Sequence, residues 1–171
     1  MTRESKKLSF VATNKIKMEN KYAMEIEEIL QITPQIDECN NFFHKFIEEK
    51  EVDISKEINF LSEIKRFLIL KEKDIRKINS KSKIRNYDCL TLAIIACLVA
   101  SRNHFYIKIG RPELISRYYH TVLITSENKM FKLTGKRKNY GFKELKVDTI
   151  IKRLHTWNPL FSFLDKIFKK T

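Results

Sequence analysis

Along the first half of the chain, apolar residues return every third or fourth position, with charged residues between them. Tyr22, Ile26, Ile29 and Leu30 fall on one face of a helix expected over residues 22–32. Thr33-Pro34 closes or restarts that helix, because a proline disfavours helical backbone in the residue before it. A second helix resumes around Pro34, carries Phe42, Phe43, Phe46 and Ile47 on one face, and runs out in Glu48-Glu49-Lys50-Glu51. Asp53 or Ser55 can cap a third helix. Its stripe is Ile54, Ile58, Leu61, Ile64, Leu68, Ile75 and Ile78, with Lys and Glu opposite and room for one break near Lys71.

The pattern changes after the polar connector Asn79-Ser80-Lys81-Ser82-Lys83. Asn86 or Asp88 can cap a helix over residues 89–101, whose run 90–100 is apolar on every side. A bilayer span needs about 20 such residues, so this run reads as a buried core helix and no transmembrane segment is expected. Beyond it β-branched and aromatic residues dominate. Residues 105–109 alternate as a strand and Gly110-Arg111-Pro112 interrupts. Residues 118–125 and 129–133 then form a hairpin around Ser126-Glu127-Asn128. A turn-rich basic loop follows at 135–141, then a helix at 147–154. Asn158-Pro159 opens a short amphipathic helix with Leu160, Phe161, Phe163, Leu164, Ile167 and Phe168. The expected fold class is α+β, a helical N-terminal half packed on a small antiparallel β-sheet. Residues 1–20 should be loosely ordered and 21–171 should form one domain.

Composition adds partners and compartment. Lys and Arg number 34 against 21 Asp and Glu, a net +13 that favours polyanions such as nucleic acid, acidic protein or anionic lipid. A Lys-, Ile- and Asn-rich composition produces the same charge without any such partner. Cys39, Cys89 and Cys97 are an odd count, with no apolar stretch behind a basic start, which points to reduced thiols in a cytoplasmic protein. The oligomeric state is not legible.

Candidate chemistry centres on Cys89, in the first turn of its helix. Unsatisfied N–H groups and the helix dipole stabilise a thiolate there, and the same N–H groups can receive the oxyanion formed on attack at an amide carbonyl. The base should be a histidine on a strand packed against that helix end. His120, in Tyr119-His120-Thr121-Val122, is the first choice and His104 the second.

Here the sequence resembles the transglutaminase-like superfamily, built on the papain-like cysteine peptidase plan, over about residues 80–135. Tyr87-Asp88-Cys89, the apolar helix, the strand at 105–109 and His120-Thr121-Val122 stand in the family's order. Where the family ends its third strand with Asp, this chain has Thr134, in Phe131-Lys132-Leu133-Thr134, and Tyr87 stands where Gly is common. The resemblance implies a papain-like core with Cys89 as nucleophile, His120 as general base and Thr134 in the place of the orienting group. It implies hydrolysis or acyl transfer at a peptide or isopeptide amide, with a peptide or protein substrate and no metal or organic cofactor. Asn139 could replace the missing carboxylate, as could Glu127 or Asn128, although these two fall at the expected hairpin tip, facing away from the site.

Other readings stay open. The chain could be a non-catalytic basic module for nucleic acid or an acidic protein, with Lys136, Arg137, Lys138 and Lys143 as candidate polyanion contacts beside Tyr140 and Phe142. Cys39, His44, Cys89 and His120 could form a zinc site, although no paired ligand spacing supports one. The terminal amphipathic segment could lie on a membrane surface, dock a partner or pack on its own core.

Overall fold

The computed structural model describes residues 20–78, 89–113, 121–133, 141–155, 160, 163 and 164. Side chains of 74–78 and 155 lie outside that description. Among the described residues the elements follow in the order α1 (Lys21–Leu30), α2 (Thr33–Lys50), α3 (Glu57–Ile78), α4 (Cys89–Arg102), β1 (Lys108–Pro112), β2 (Val122–Ile124), β3 (Met130–Phe131), β4 (Phe142–Glu144) and α5 (Val147–His155). The chain is therefore α+β. The expected loose segment, Asn20 apart, lies outside the described residues.

Local chemistry sets the helix ends. α1 stops at Gln31, in the left-handed region at φ 53°, whose N–H returns to the Glu27 carbonyl at 2.9 Å. Pro34 lies in the first turn of α2, where its missing N–H leaves no helical bond unmade. Glu51 ends α2 with the same left-handed turn, and Asp53 Oδ1 then accepts the Ser55 N–H at 2.9 Å before α3 begins. α3 is unbroken through Lys71. Its inward face differs from the sequence expectation. Ile58 is 58% exposed, while Phe60 and Phe67 are buried and stack edge-on against Phe43, with ring centroids 5.4 and 5.7 Å apart.

α4 is the centre of the molecule, with every residue from Leu90 to Ala100 buried. It shows almost no amphipathic pattern because α1, α2 and α3 pack on some of its sides and β1 and β2 on another. At about 1.5–3 kcal/mol for each large aliphatic side chain removed from water, the leucines, isoleucines and valine of this helix contribute heavily to core stabilisation. Arg102 at its C-terminus ties the layers together, donating to Glu27 of α1 and Asp37 of α2.

The sheet is antiparallel in the order β3-β2-β1-β4. β1 pairs Ile109 with Leu123 of β2 on one side and Arg111 with Lys143 of β4 on the other. The expected strand at 105–109 is thus displaced. Gly110-Arg111-Pro112 continues the strand instead of interrupting it, since Pro112 sits at its last position, where a missing N–H costs least. Gly110 is required by close packing. A Cβ there would lie 2.7 Å from Ile124 Cδ1 and 2.9 Å from the Lys143 carbonyl oxygen. β4 was not foreseen, because three residues, Phe142-Lys143-Glu144, are too few and too polar to show alternation. Ile109, Leu123 and Leu145 belong to the helix-side core. The Tyr22 hydroxyl fixes α1 to this layer by donating to the Leu145 carbonyl at 2.8 Å, with the Ile109 carbonyl at 3.4 Å. Leu160, Phe163 and Leu164 also join that core, so these positions of the terminal segment pack on the chain itself.

Candidate active site

Cys89 opens α4, and its side chain is only partly buried. The Thr121 backbone N–H donates to Cys89 Sγ across 3.2 Å. Helix N-terminus and strand start therefore meet at the sulfur. α4 brings the thiol there because it packs along β1 and β2, and β2 runs in the same direction as the helix.

Thr121 itself is 3% exposed, and its Oγ1 has no hydrogen-bond partner. A buried hydroxyl in that state costs on the order of 1–3 kcal/mol, so its persistence beside a thiol is a property of this corner of the fold.

The other cysteines differ in kind. Cys39 and Cys97 are fully buried, and burial pushes each thiol up to about 12. Cys97 Sγ also donates to the Ile107 carbonyl at 3.1 Å. Both are core residues and remain neutral thiols at physiological pH.

Several expected site residues, namely His120, Thr134, Lys136, Arg137, Lys138 and Asn139, lie outside the described residues. His120 precedes Thr121 in the sequence, so its nearest described neighbour is the residue that touches Cys89 Sγ. His104 is corrected. It follows the C-terminus of α4 in a left-handed turn at φ 64°, roughly 20 Å along the helix from Cys89 at 1.5 Å per residue. His44 lies at that same far end, with Nε2 2.7 Å from Asn103 Oδ1, which separates it from Cys89 and removes the zinc set of Cys39, His44, Cys89 and His120. Among the described residues no group of three or more His, Cys, Asp or Glu could hold a metal ion.

Glu127 and Asn128 are at the β2–β3 turn, at the opposite end of β2 from Thr121. That turn is anchored to α3, since Ser126 donates to Glu57 through both its N–H and its hydroxyl. Neither residue can orient a base beside Cys89. An open depression of about 550 Å³ lies at this far end too, lined by Val52, Asp53, Ile54, Ser55, Asn103, His104 and Phe105. It contains no thiol. Lys143 is exposed on β4, directly opposite Arg111. Sequence reasoning passed over Arg111 and Thr121, the first because its tripeptide read as an interruption and the second because its contribution is a backbone group.

No protein-family model, curated protein or solved structure matches this chain. No helix among the described residues is long and apolar enough to cross a membrane.

Proposed function

We propose that this chain is a transglutaminase-like Cys/His domain with a papain-like core, acting on a peptide or isopeptide amide. The observation that carries the reading is the 3.2 Å contact between the Thr121 N–H and Cys89 Sγ, which joins the start of the apolar helix to the residue following His120. The chain order of helix, strand and second strand supports the same plan. In this reading His120 takes the proton of the Cys89 thiol, and the thiolate attacks the amide carbonyl, forming a C–S bond. The oxyanion is held by N–H groups at the start of α4. The C–N bond breaks as His120 gives its proton to the departing amine. Water, or a second amine, then releases the acyl group from the thioester. Thr134 stands where a carboxylate would fix the imidazole, so turnover is slow compared with a complete triad.

The test is release of ammonia or amine from a glutamine-containing peptide by the full chain, with Cys89→Ala and His120→Ala as controls. Turnover lost in both variants supports the reading. Absence of Cys89-dependent turnover, together with Cys89 alkylation no faster than that of glutathione, would overturn it. That result would favour a non-catalytic basic module, the reading suggested by Thr134 and the net charge of +13. Salt-sensitive retention of nucleic acid or of an acidic protein would then be its measurable signature.

A further inference from the structure

Two exposed cations stand in a row with the Cys89 contact. β1 and β2 pair Gly110 with Val122, so the next step of the register sets Arg111 opposite Thr121. On its other side Arg111 pairs directly with Lys143. Strand alternation places Arg111, Thr121 and Lys143 on the face that carries Ile109, Leu123 and Leu145, which is the face α4 covers. Arg111 and Lys143 lie beyond the covered area and are exposed. With strands about 4.8 Å apart, their Cα atoms are roughly 5 and 10 Å from that of Thr121.

Like charges directly opposite on neighbouring strands repel. Among the described residues neither Arg111 nor Lys143 has an ion pair, whereas Lys108, on the other face of the same strand, is paired with Glu144 at 3.2 Å. Among the described residues one carboxylate lies nearby, that of Glu113, which is folded over Gly141 one step further from the thiol. The balance among these described groups is positive. An unneutralised pair of cations beside a thiol and an unpartnered buried hydroxyl is suited to an anionic group carried by whatever approaches the sulfur.

We propose that Arg111 and Lys143 form a subsite for an acidic side chain, so that the acyl donor carries Asp or Glu next to the amide presented to Cys89. The choice of substrate rests on the reading of Cys89 as nucleophile, while the subsite itself can be measured without turnover. Iodoacetate and iodoacetamide alkylate the same sulfur and differ by one negative charge. Two cations within about 10 Å should raise the iodoacetate-to-iodoacetamide rate ratio at Cys89 about fivefold over that of a small free thiol at low salt, with the excess falling by 0.15 M salt. Arg111→Gln with Lys143→Gln should return the ratio to the free-thiol value, and Arg111→Lys should preserve most of it. Because both side chains are exposed, the double variant should melt with the parent, which is checked in the same preparation. A ratio equal to the free-thiol value in the parent, or unchanged in the double variant, would overturn the subsite. The amide assay separates the two claims. Loss of turnover preference for Glu-flanked over Gln-flanked peptide in the double variant supports the subsite as a selector of substrate. A charge-dependent alkylation ratio without Cys89-dependent turnover keeps the anion subsite and removes the hydrolase reading.

Discussion

Gly110→Ala isolates the packing that brings β1 between its neighbours. The added methyl would meet Ile124 Cδ1 at 2.7 Å, Ile124 Cγ1 at 3.1 Å and the Lys143 carbonyl oxygen at 2.9 Å. The Ile124 side chain can rotate away. The carbonyl cannot, because it belongs to the strand that β1 must pair with. Gly110 is not in the left-handed region, so the effect comes from overpacking and not from φ. Overpacking of this kind costs about 1–3 kcal/mol. For a chain of 171 residues, 2 kcal/mol corresponds to a melting temperature lower by about 4–8 °C. A double-mutant cycle with Ile124→Val sharpens the test. Valine lacks Cδ1 and should reduce the penalty of Gly110→Ala by up to half, leaving the part due to the carbonyl. Urea unfolding with an unchanged m-value gives each free energy. A penalty below 0.5 kcal/mol, or no coupling to Ile124→Val, would refute this account of how the sheet is assembled.

Tyr22→Phe removes the donor to the Leu145 carbonyl and should destabilise the fold by about 1–2 kcal/mol in urea unfolding, with no change in Cys89 reactivity. The buried thiols predict an alkaline limit. Cys39 and Cys97 are pushed up to about 12 when folded, from 9.0 unfolded, so the unfolded chain loses protons first as pH rises above 9.0. Their contribution is complete below pH 9 and declines toward pH 12, at about 1.4 kcal/mol per pH unit for each thiol. Denaturant midpoints between pH 8 and 11 should fall, and Cys39→Ala with Cys97→Ala should flatten that slope; an equal slope in the double variant would remove burial of these thiols as its cause. Under the proposed reading, Thr134→Asp supplies the orienting carboxylate that the transglutaminase-like pattern places at this position and should raise Cys89-dependent amide turnover tenfold or more, measured as amine release. No increase would detach Thr134 from the site.

The helical half was legible because one face of each helix is wet, which leaves a period of three or four in Tyr22-Ile26 and in Leu61-Ile64-Leu68. α4 was legible for the opposite reason, since it has no wet face and its apolar run is too short for a membrane. Ile58 misled, because the buried face of α3 is set by Phe60, Leu61, Ile64, Phe67 and Leu68, and Ile58 points away from it. The sheet was read less well. Its strands are two to five residues long, and β4 is held by pairing to a segment thirty residues earlier, information that local alternation does not contain. The same limit governs the site. Cys89 at a helix start could be inferred from order alone, but the row of Thr121, Arg111 and Lys143 exists only through the registers β1 makes with both neighbours.

The central proposal is that Cys89, at the start of α4 beside the Thr121 N–H, is the nucleophile and His120 its base. It is tested most directly by the iodoacetamide rate at each cysteine in the native full chain near neutral pH, resolved by mass spectrometry, with His120→Ala alongside. The account predicts rapid modification of Cys89, almost none at Cys39 and Cys97, and a Cys89 rate reduced tenfold or more by His120→Ala. Slow and uniform labelling of all three, or a Cys89 rate indifferent to His120→Ala, would contradict it.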